Sequence, residues 1–413
     1  MNKNKNFIQT YSKKVDIRKF YDNKNENYKI SNECFISFLF ISNGKDLNNV
    51  LITGDIIWFS SKCVKKVRNV ISKDLKIPIE AIILAASHTH GTPNPESTIS
   101  NPFFSKDFDN YITQQILRSF NKAKVVKKKQ VKLEFRRTLA GDFSVNRRRS
   151  ALNFTNGIKY NMQNLPNMKK PVDKNIDLID FVSLKTKKIV ASIIKVTCHP
   201  VSSPKGVIGA DYIGYLRNKL YKRTPNLFFL QGLCGDIRPK VIKRNKNFKD
   251  YCISLLIGKR FRKSNIFDSE NISNKISENV FKCSNKKPNT KLDCSGKSLK
   301  LDCILKLKSG NVFKKKLEIT IWNWNKVIFI FFNGEILSGY NISNYKKSKV
   351  ICVGYCNGMI GYIPTKKDIK EGGYEVDKSR SNFKIEERLS ENNELFINSQ
   401  IENLLHKSSK HGL

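Results

Sequence analysis

The chain has 413 residues, 39% hydrophobic and 10% aromatic, enough for one large or two ordinary folded units around an apolar core. Lys and Arg number 76 against 35 Asp and Glu, a formal net charge of +41, which bears on solubility and polyanionic partners but not on fold. The opening residues, "MNKNKNFIQTYSKK", lack the apolar core of a secretion signal, and no apolar run approaches 18 residues. The expectation is a cytoplasmic, globular protein without a transmembrane segment.

Taken in chain order, "ECFISFLFISNGKDLNNVLITGD" reads as two strands joined by an Asn-Gly turn. From Trp58 to about Leu75 the apolar residues recur at helical spacing, and "EAIILAAS" forms the next strand. A helix near 107–126, a strand at "VKLEFRR", strands near 176–184 and 189–198, a helix near 211–222 and a strand at "NLFFLQG" continue the alternation. Residues 240–300 interrupt it with a basic stretch of weak periodicity, read as an insertion, part helix and part loop. "LEITIWNW" and "KVIFIFFNGE" resume the pattern, and an amphipathic helix near 389–405 precedes a polar tail, 406–413, whose His406 and His411 are expected to fray. The reading is a single α/β unit over 1–405, with mixed sheets flanked by helices.

The ten cysteines include no CxxC pair, and in a reducing compartment they are expected as free thiols. The lysines are spread among many asparagines with no RNA-binding signature beside them, so specific nucleic-acid binding is not expected.

Four segments share one arrangement, an apolar strand whose end meets Gly, Pro, His or an acid: "ILAASHTHGTP", "IIKVTCHPVSS", "FFLQGLCGDIRP" and "IFIFFNGE". Ligand sites of α/β proteins form outside the carboxyl ends of strands. The pattern gathers His88, His90, His199, Asp236 and Glu335 at positions of one kind, with His88 and His90 expected on one face by strand alternation. Imidazole and carboxylate together suit zinc, which in a catalytic site keeps a position open for water. The alternative is a pair of histidines bonded to loop backbone.

In order along the chain, "HTHGTP", "CHPVSSP…GADYIGYLR", "QGLCGDIRP", "NGE" and "YCNGMIGYIPT…EGGYEV" resemble the successive signatures of the neutral, non-lysosomal ceramidase family, in its amino-terminal catalytic domain. The resemblance runs from about residue 35 to 380 and implies that catalytic-domain fold, without the immunoglobulin-like domain that follows it in full-length members. It also implies a zinc ion held by His88, His199, Glu335 and Tyr374, with His90 beside it as a proton carrier or substrate contact. Asn146 and Arg147 of "SVNRRR" resemble the segment that faces the substrate, and Asp236 belongs to the same substrate-binding set. For Arg147 the alternative is surface charge in a basic run; for Tyr374 it is a side chain packed beneath a Gly-Gly turn.

One departure is chemical. The family's serine in the G-D-x-S-P motif is replaced by Arg238 in "GDIRP", and a guanidinium cannot act as a nucleophile. The sequence therefore points to amide hydrolysis by metal-activated water, with Arg238 pairing with a carboxylate or phosphate, or with an oxyanion. The expected substrate is a small N-acylated compound, lipid or anionic. Two alternatives remain at this level: a non-hydrolytic zinc-containing binding protein of the same fold, and a binder of polyanions or membrane surfaces.

Overall fold

The computed structural model describes residues 5–21, 28–44, 46–96, 106–154, 157–294, 296–340 and 349–410. The expected hairpin forms from Cys34–Asn43 and Asp46–Gly54, paired antiparallel from Ile36↔Gly54 to Asn43↔Asp46. Helix Ser61–Leu75 then carries the chain over to Ile82–Ala86, which lies parallel to Asp46–Gly54. Its start is fixed by Ser60, whose hydroxyl accepts the Cys63 amide proton, and Val64, Val67 and Ile71 place one apolar stripe inward.

A nine-stranded mixed sheet runs in the order Leu227–Gln231, Ile189–Val196, Asn175–Ser183, Lys129–Leu139, Asn6–Val15, Cys34–Asn43, Asp46–Gly54, Ile82–Ala86, with Thr290–Leu292 also on Lys129–Leu139. A second sheet holds Ser298–Lys306, Val312–Trp324, Val327–Phe332 and Lys349–Val353. Period-two alternation decides what each face meets. Leu39, Ile41, Leu51 and Ile83 pack against Trp322, Trp324, Phe329 and Phe331 between the sheets. Ile36, Phe38 and Phe40 face the other way, toward Val67 and Ile71 and toward Phe108 and Phe120 of helix Lys106–Ala123. Behind the second sheet, Ile397 and Ile401 of helix Asn393–Lys410 close the outer layer.

Three findings add to the sequence reading or depart from it. Asn6–Val15, too polar to be read as structure, pairs with strands on both sides inside the large sheet. The 240–300 segment holds helix Phe248–Ile257 and then helix Asp268–Ser284, whose Ile272, Ile276 and Val280 share a core with Leu216 and Leu220. That spacing is helical, but three apolar residues among Ser, Asn and Lys make a thin stripe. His406 is exposed within the last helix, which continues to Lys410; His411 lies outside the described residues. Among the described residues no helix is long and apolar enough to cross a membrane.

Candidate metal centre

The carboxyl ends of Ile82–Ala86, Ile189–Val196, Leu227–Gln231, Val327–Phe332 and Lys349–Val353 meet at one place, where three parallel strand pairs end together. Backbone bonds join the two sheets there: Ala86 N–H donates to Tyr355 O at 3.0 Å and Gly354 N–H to Gln231 O at 2.9 Å. His88, His199 and Glu335 each follow one of these strands within three residues.

Strand alternation does not bring His88 and His90 together. The strand ends at Ala86, and His88 has φ 65°, in the left-handed region costly for a residue with a Cβ. The loop is held there by His88 N–H donating to Ile56 O at 3.0 Å and by the contact of Gly91 with Gly209.

The ligand atoms of His88, His90 and His199 all lie within 4.8 Å of one another. His88 Nδ1 is 2.8 Å from Ile57 O, and His199 Nδ1 is 2.6 Å from Cys234 O and 3.1 Å from Ile237 O. Carbonyl oxygens only accept, so both Nδ1 atoms carry the hydrogen and both Nε2 atoms present lone pairs inward. Glu335 Oε2 sits 3.4 Å from His88 Nε2 and 3.2 Å from His199 Nε2. His88 Nε2 is buried without a hydrogen-bond partner.

Burial holds His199 down to about 4, so its imidazole is neutral at ordinary pH. Against its burial, protonated His88 and His199 would hold the Glu335 carboxyl well below the usual range, but with both Nε2 atoms unprotonated that attraction is absent. His90 keeps an exposed face while its ring is crowded by protein; that crowding first, then His88 and His199, push its pKa well down. Two inward lone pairs and a carboxylate on one point repel unless a cation sits among them, so this donor set fits a divalent metal. Nitrogen with carboxylate oxygen is a zinc-type set.

The remaining predicted residues divide. Asn146 and Asp236 are fully buried and bonded to each other at 2.6 Å, and Asp236 also accepts from Ser338 N–H at 2.8 Å and its hydroxyl at 3.0 Å. Their polar groups hold the loop after Leu227–Gln231. Arg147 is buried, which removes the surface-charge alternative: it donates to Glu375 at 2.7 Å, Gly235 O at 2.8 Å and Tyr362 OH at 3.1 Å. Arg148 meets the other Glu375 oxygen at 2.6 Å.

Tyr374 is half-buried, follows Gly372 and Gly373 at φ 68° and 99°, and begins the helical turn Tyr374–Lys378. Its ring lies 5.9 Å from Tyr362 and 5.5 Å from the Arg147 guanidinium, and its hydroxyl accepts from Asn382 at 3.4 Å. Arg238 stacks on Phe261 at 4.3 Å with Nε buried and unbonded, and burial lowers its pKa to about 10, still protonated at neutral pH.

Sequence reasoning missed Tyr355. Its ring stacks on His88 at 4.1 Å, and its hydroxyl reaches Glu335 Oε2 at 3.4 Å and Cys234 Sγ at 3.2 Å. The signal was "YCNG", where a strand runs into Asn-Gly; Tyr355 and Asn357 both take positive φ there. Trp58 was likewise unmarked, and its ring lies 6.3 Å from His88.

The fold and site together define an α/β protein with a histidine–carboxylate cluster at the carboxyl ends of its strands. The fold is that of the neutral ceramidases. The structure of neutral ceramidase from Pseudomonas aeruginosa superposes with a TM-score of 0.68 at 13% identity, covering 91% of this chain and 71% of that one. A ceramidase complexed with C2 gives 0.68 at 13%, covering 90% and 72%. Neither a family model nor a curated protein matches the sequence.

Proposed function

We propose that the protein is a zinc-dependent hydrolase of a linear N-acyl amide. The observation that carries this reading is the convergence of Glu335 Oε2 with two Nε2 lone pairs whose Nδ1 partners are backbone carbonyls. His88, His199 and Glu335 would hold the ion, with Tyr374 as a further ligand from the rim. When bound, the ion polarises the scissile carbonyl and makes water acidic near neutral pH.

The chain's own groups do the rest. His90, neutral and with an exposed face, takes a proton from the attacking water and returns it to the leaving nitrogen as the C–N bond breaks, releasing a carboxylic acid and an amine. Tyr355 fixes the His88 ring and the Glu335 carboxylate from behind. Arg147, clamped on Glu375, holds Gly235 and the Tyr362 hydroxyl in place. The buried pair Asn146 and Asp236 fixes the neighbouring loop, so their part in substrate binding is to position it.

A cavity of about 390 Å³ is the candidate for the acyl chain: Leu307, Val312, Phe313, Phe383 and Ile385 line it together with Glu96, Lys314, Lys315, Lys384 and Glu386. Phe383 lies 6.1 Å from Trp58, whose ring leads on to His88. Arg238 cannot replace the family's serine as a nucleophile; its unbonded Nε and cationic head suit an anionic group on the substrate.

Metal analysis of protein purified without chelator, with a panel of N-acyl amines and N-acyl amino acids, tests the reading. One divalent ion per chain is expected, lost in His88→Ala and His199→Ala with the circular dichroism spectrum unchanged. His90→Gln should keep the ion and lose turnover by about a hundredfold or more. Arg238→Ser should remove any preference for anionic substrates. Metal-free protein, or hydrolysis that survives His199→Ala, would overturn it.

A further inference from the structure

The helix Phe248–Ile257 is built inside out. Its buried residue is Asp250, whose Oδ1 receives Lys243 Nζ at 2.5 Å and Arg260 at 3.1 Å. Its apolar side chains face water instead: Phe248 is 80% exposed, Tyr251 50%, Leu255 68% and Leu256 64%. Positions 248, 251 and 255 stand three and four apart, so they form one stripe along the helix. Ile266 and Phe267, just beyond, are exposed to 60% and 61%. A helix held to its protein by a buried carboxylate, with leucine and phenylalanine outward, gains nothing from that face in water alone.

The surroundings specify what covers it. Residues 240–267 contain nine Lys and Arg against one acid, Asp250. Arg244, Lys246, Lys249, Lys259 and Lys263 are exposed around the apolar stripe. The neighbouring groove, of about 2190 Å³, is lined by further cations including Lys169, Lys275 and Lys367. Nucleic acid would match the charge but leave four large apolar side chains in water. An apolar protein partner would match the stripe but not its cationic border. Anionic lipid satisfies both, with acyl-boundary depth for Phe248 and the leucines and headgroup phosphates for the lysines.

We propose that this segment docks the protein on an anionic membrane surface, with helix Phe248–Ile257 lying in the interface plane. The attachment is mechanically tied to the site. Arg149, from the strand that carries Asn146 and Arg147, donates to Ile257 O at 2.5 Å and Lys259 O at 2.8 Å; Phe261 carries the Arg238 guanidinium. The docking does not depend on whether the metal centre is catalytic.

Flotation of the full chain with phosphatidylcholine vesicles, with and without about 30% phosphatidylglycerol, tests it at about 0.1 M and 0.5 M salt. Binding is expected on the anionic vesicles only, weakening with salt. The triple variant Lys246→Glu, Lys249→Glu, Lys259→Glu should weaken it by about a hundredfold or more, given the contribution of each cation near a charged surface. The variant Phe248→Ser, Leu255→Ser, Leu256→Ser touches only exposed side chains, so it should stay folded; a loss of at least about tenfold is expected. The proposal fails if anionic vesicles do not bind, or if the apolar variant binds as wild type. It also fails if a single-stranded oligonucleotide displaces the vesicles and binds the apolar variant undiminished. Self-association abolished by the apolar variant, without vesicle binding, would equally overturn it.

Discussion

Removing the charge of Glu375 should cost this protein far more than removing any surface ion pair. Glu375 is buried, and its two oxygens are divided between Arg147 at 2.7 Å and Arg148 at 2.6 Å, both buried guanidiniums. In Glu375→Gln the carbonyl oxygen can still accept from one arginine, while the amide turns two donors toward the other. That loses one charge-assisted bond, about 1.5–3 kcal/mol, and leaves part of a buried positive charge unbalanced. Arg148 has Asp368 at 3.3 Å and Glu371 at 3.5 Å in reserve, but the carboxylate described for Arg147 is Glu375 alone.

The expected loss is therefore about 3 kcal/mol, at the lower edge of the range for breaking a buried pair. Urea denaturation would read it as a fall in midpoint at unchanged slope. The exposed Lys314–Glu386 pair is the internal contrast: Lys314→Ala should change stability by less than about 0.5 kcal/mol. Burial opposes the Glu375 charge, but Arg147 and Arg148 hold its pKa below the ordinary value. A depressed folded pKa gives stability that is present above the unfolded pKa and lost as pH falls through the folded one. The gap between wild type and Glu375→Gln should accordingly close in acid. A difference under about 1 kcal/mol at neutral pH, or a gap that widens as pH falls, would refute the reasoning.

Other expectations are simpler to test. A Cβ on Gly91 would lie 2.4 Å from the Gly209 carbonyl, and backbone on both sides leaves little room to yield. Gly91→Ala should therefore cost about 1–3 kcal/mol and lower metal content as the His88–His90 loop shifts; unchanged melting and metal content would contradict this. Of the ten cysteines, Cys252 and Cys352 are the partly exposed ones, and burial pushes Cys352 up to about 12. An alkylating reagent should label Cys252 first in the native protein and all ten only after unfolding; rapid native labelling of Cys198 or Cys234 would show a more open centre than the structure has.

The sequence by itself determined the alternation of strands and helices, because each element's apolar period is local and each turn carries its own Gly, Asn or Ser. It also marked His88, His199 and Glu335, since strand ends running into His-Thr-His, His-Pro and Gly-Glu are visible without a fold. What it could not determine were the partners, because a partner is chosen by packing across hundreds of residues. Arg147 reads in sequence as facing the substrate, with a charge in a basic run as the alternative, and only the fold pairs it with Glu375, 228 positions away, as a buried clamp. Asn146 and Asp236, substrate-binding residues in the sequence reading, lie 90 positions apart, and only the fold shows that they are bonded to each other. Tyr355 stood in "YCNG" with only a turn to mark it, and only the joining of two sheets set its ring on His88 and its hydroxyl beside Glu335. The outward leucines of residues 248–257 were legible as letters, but a helical stripe points nowhere until tertiary structure decides which side is buried, and here it buried Asp250.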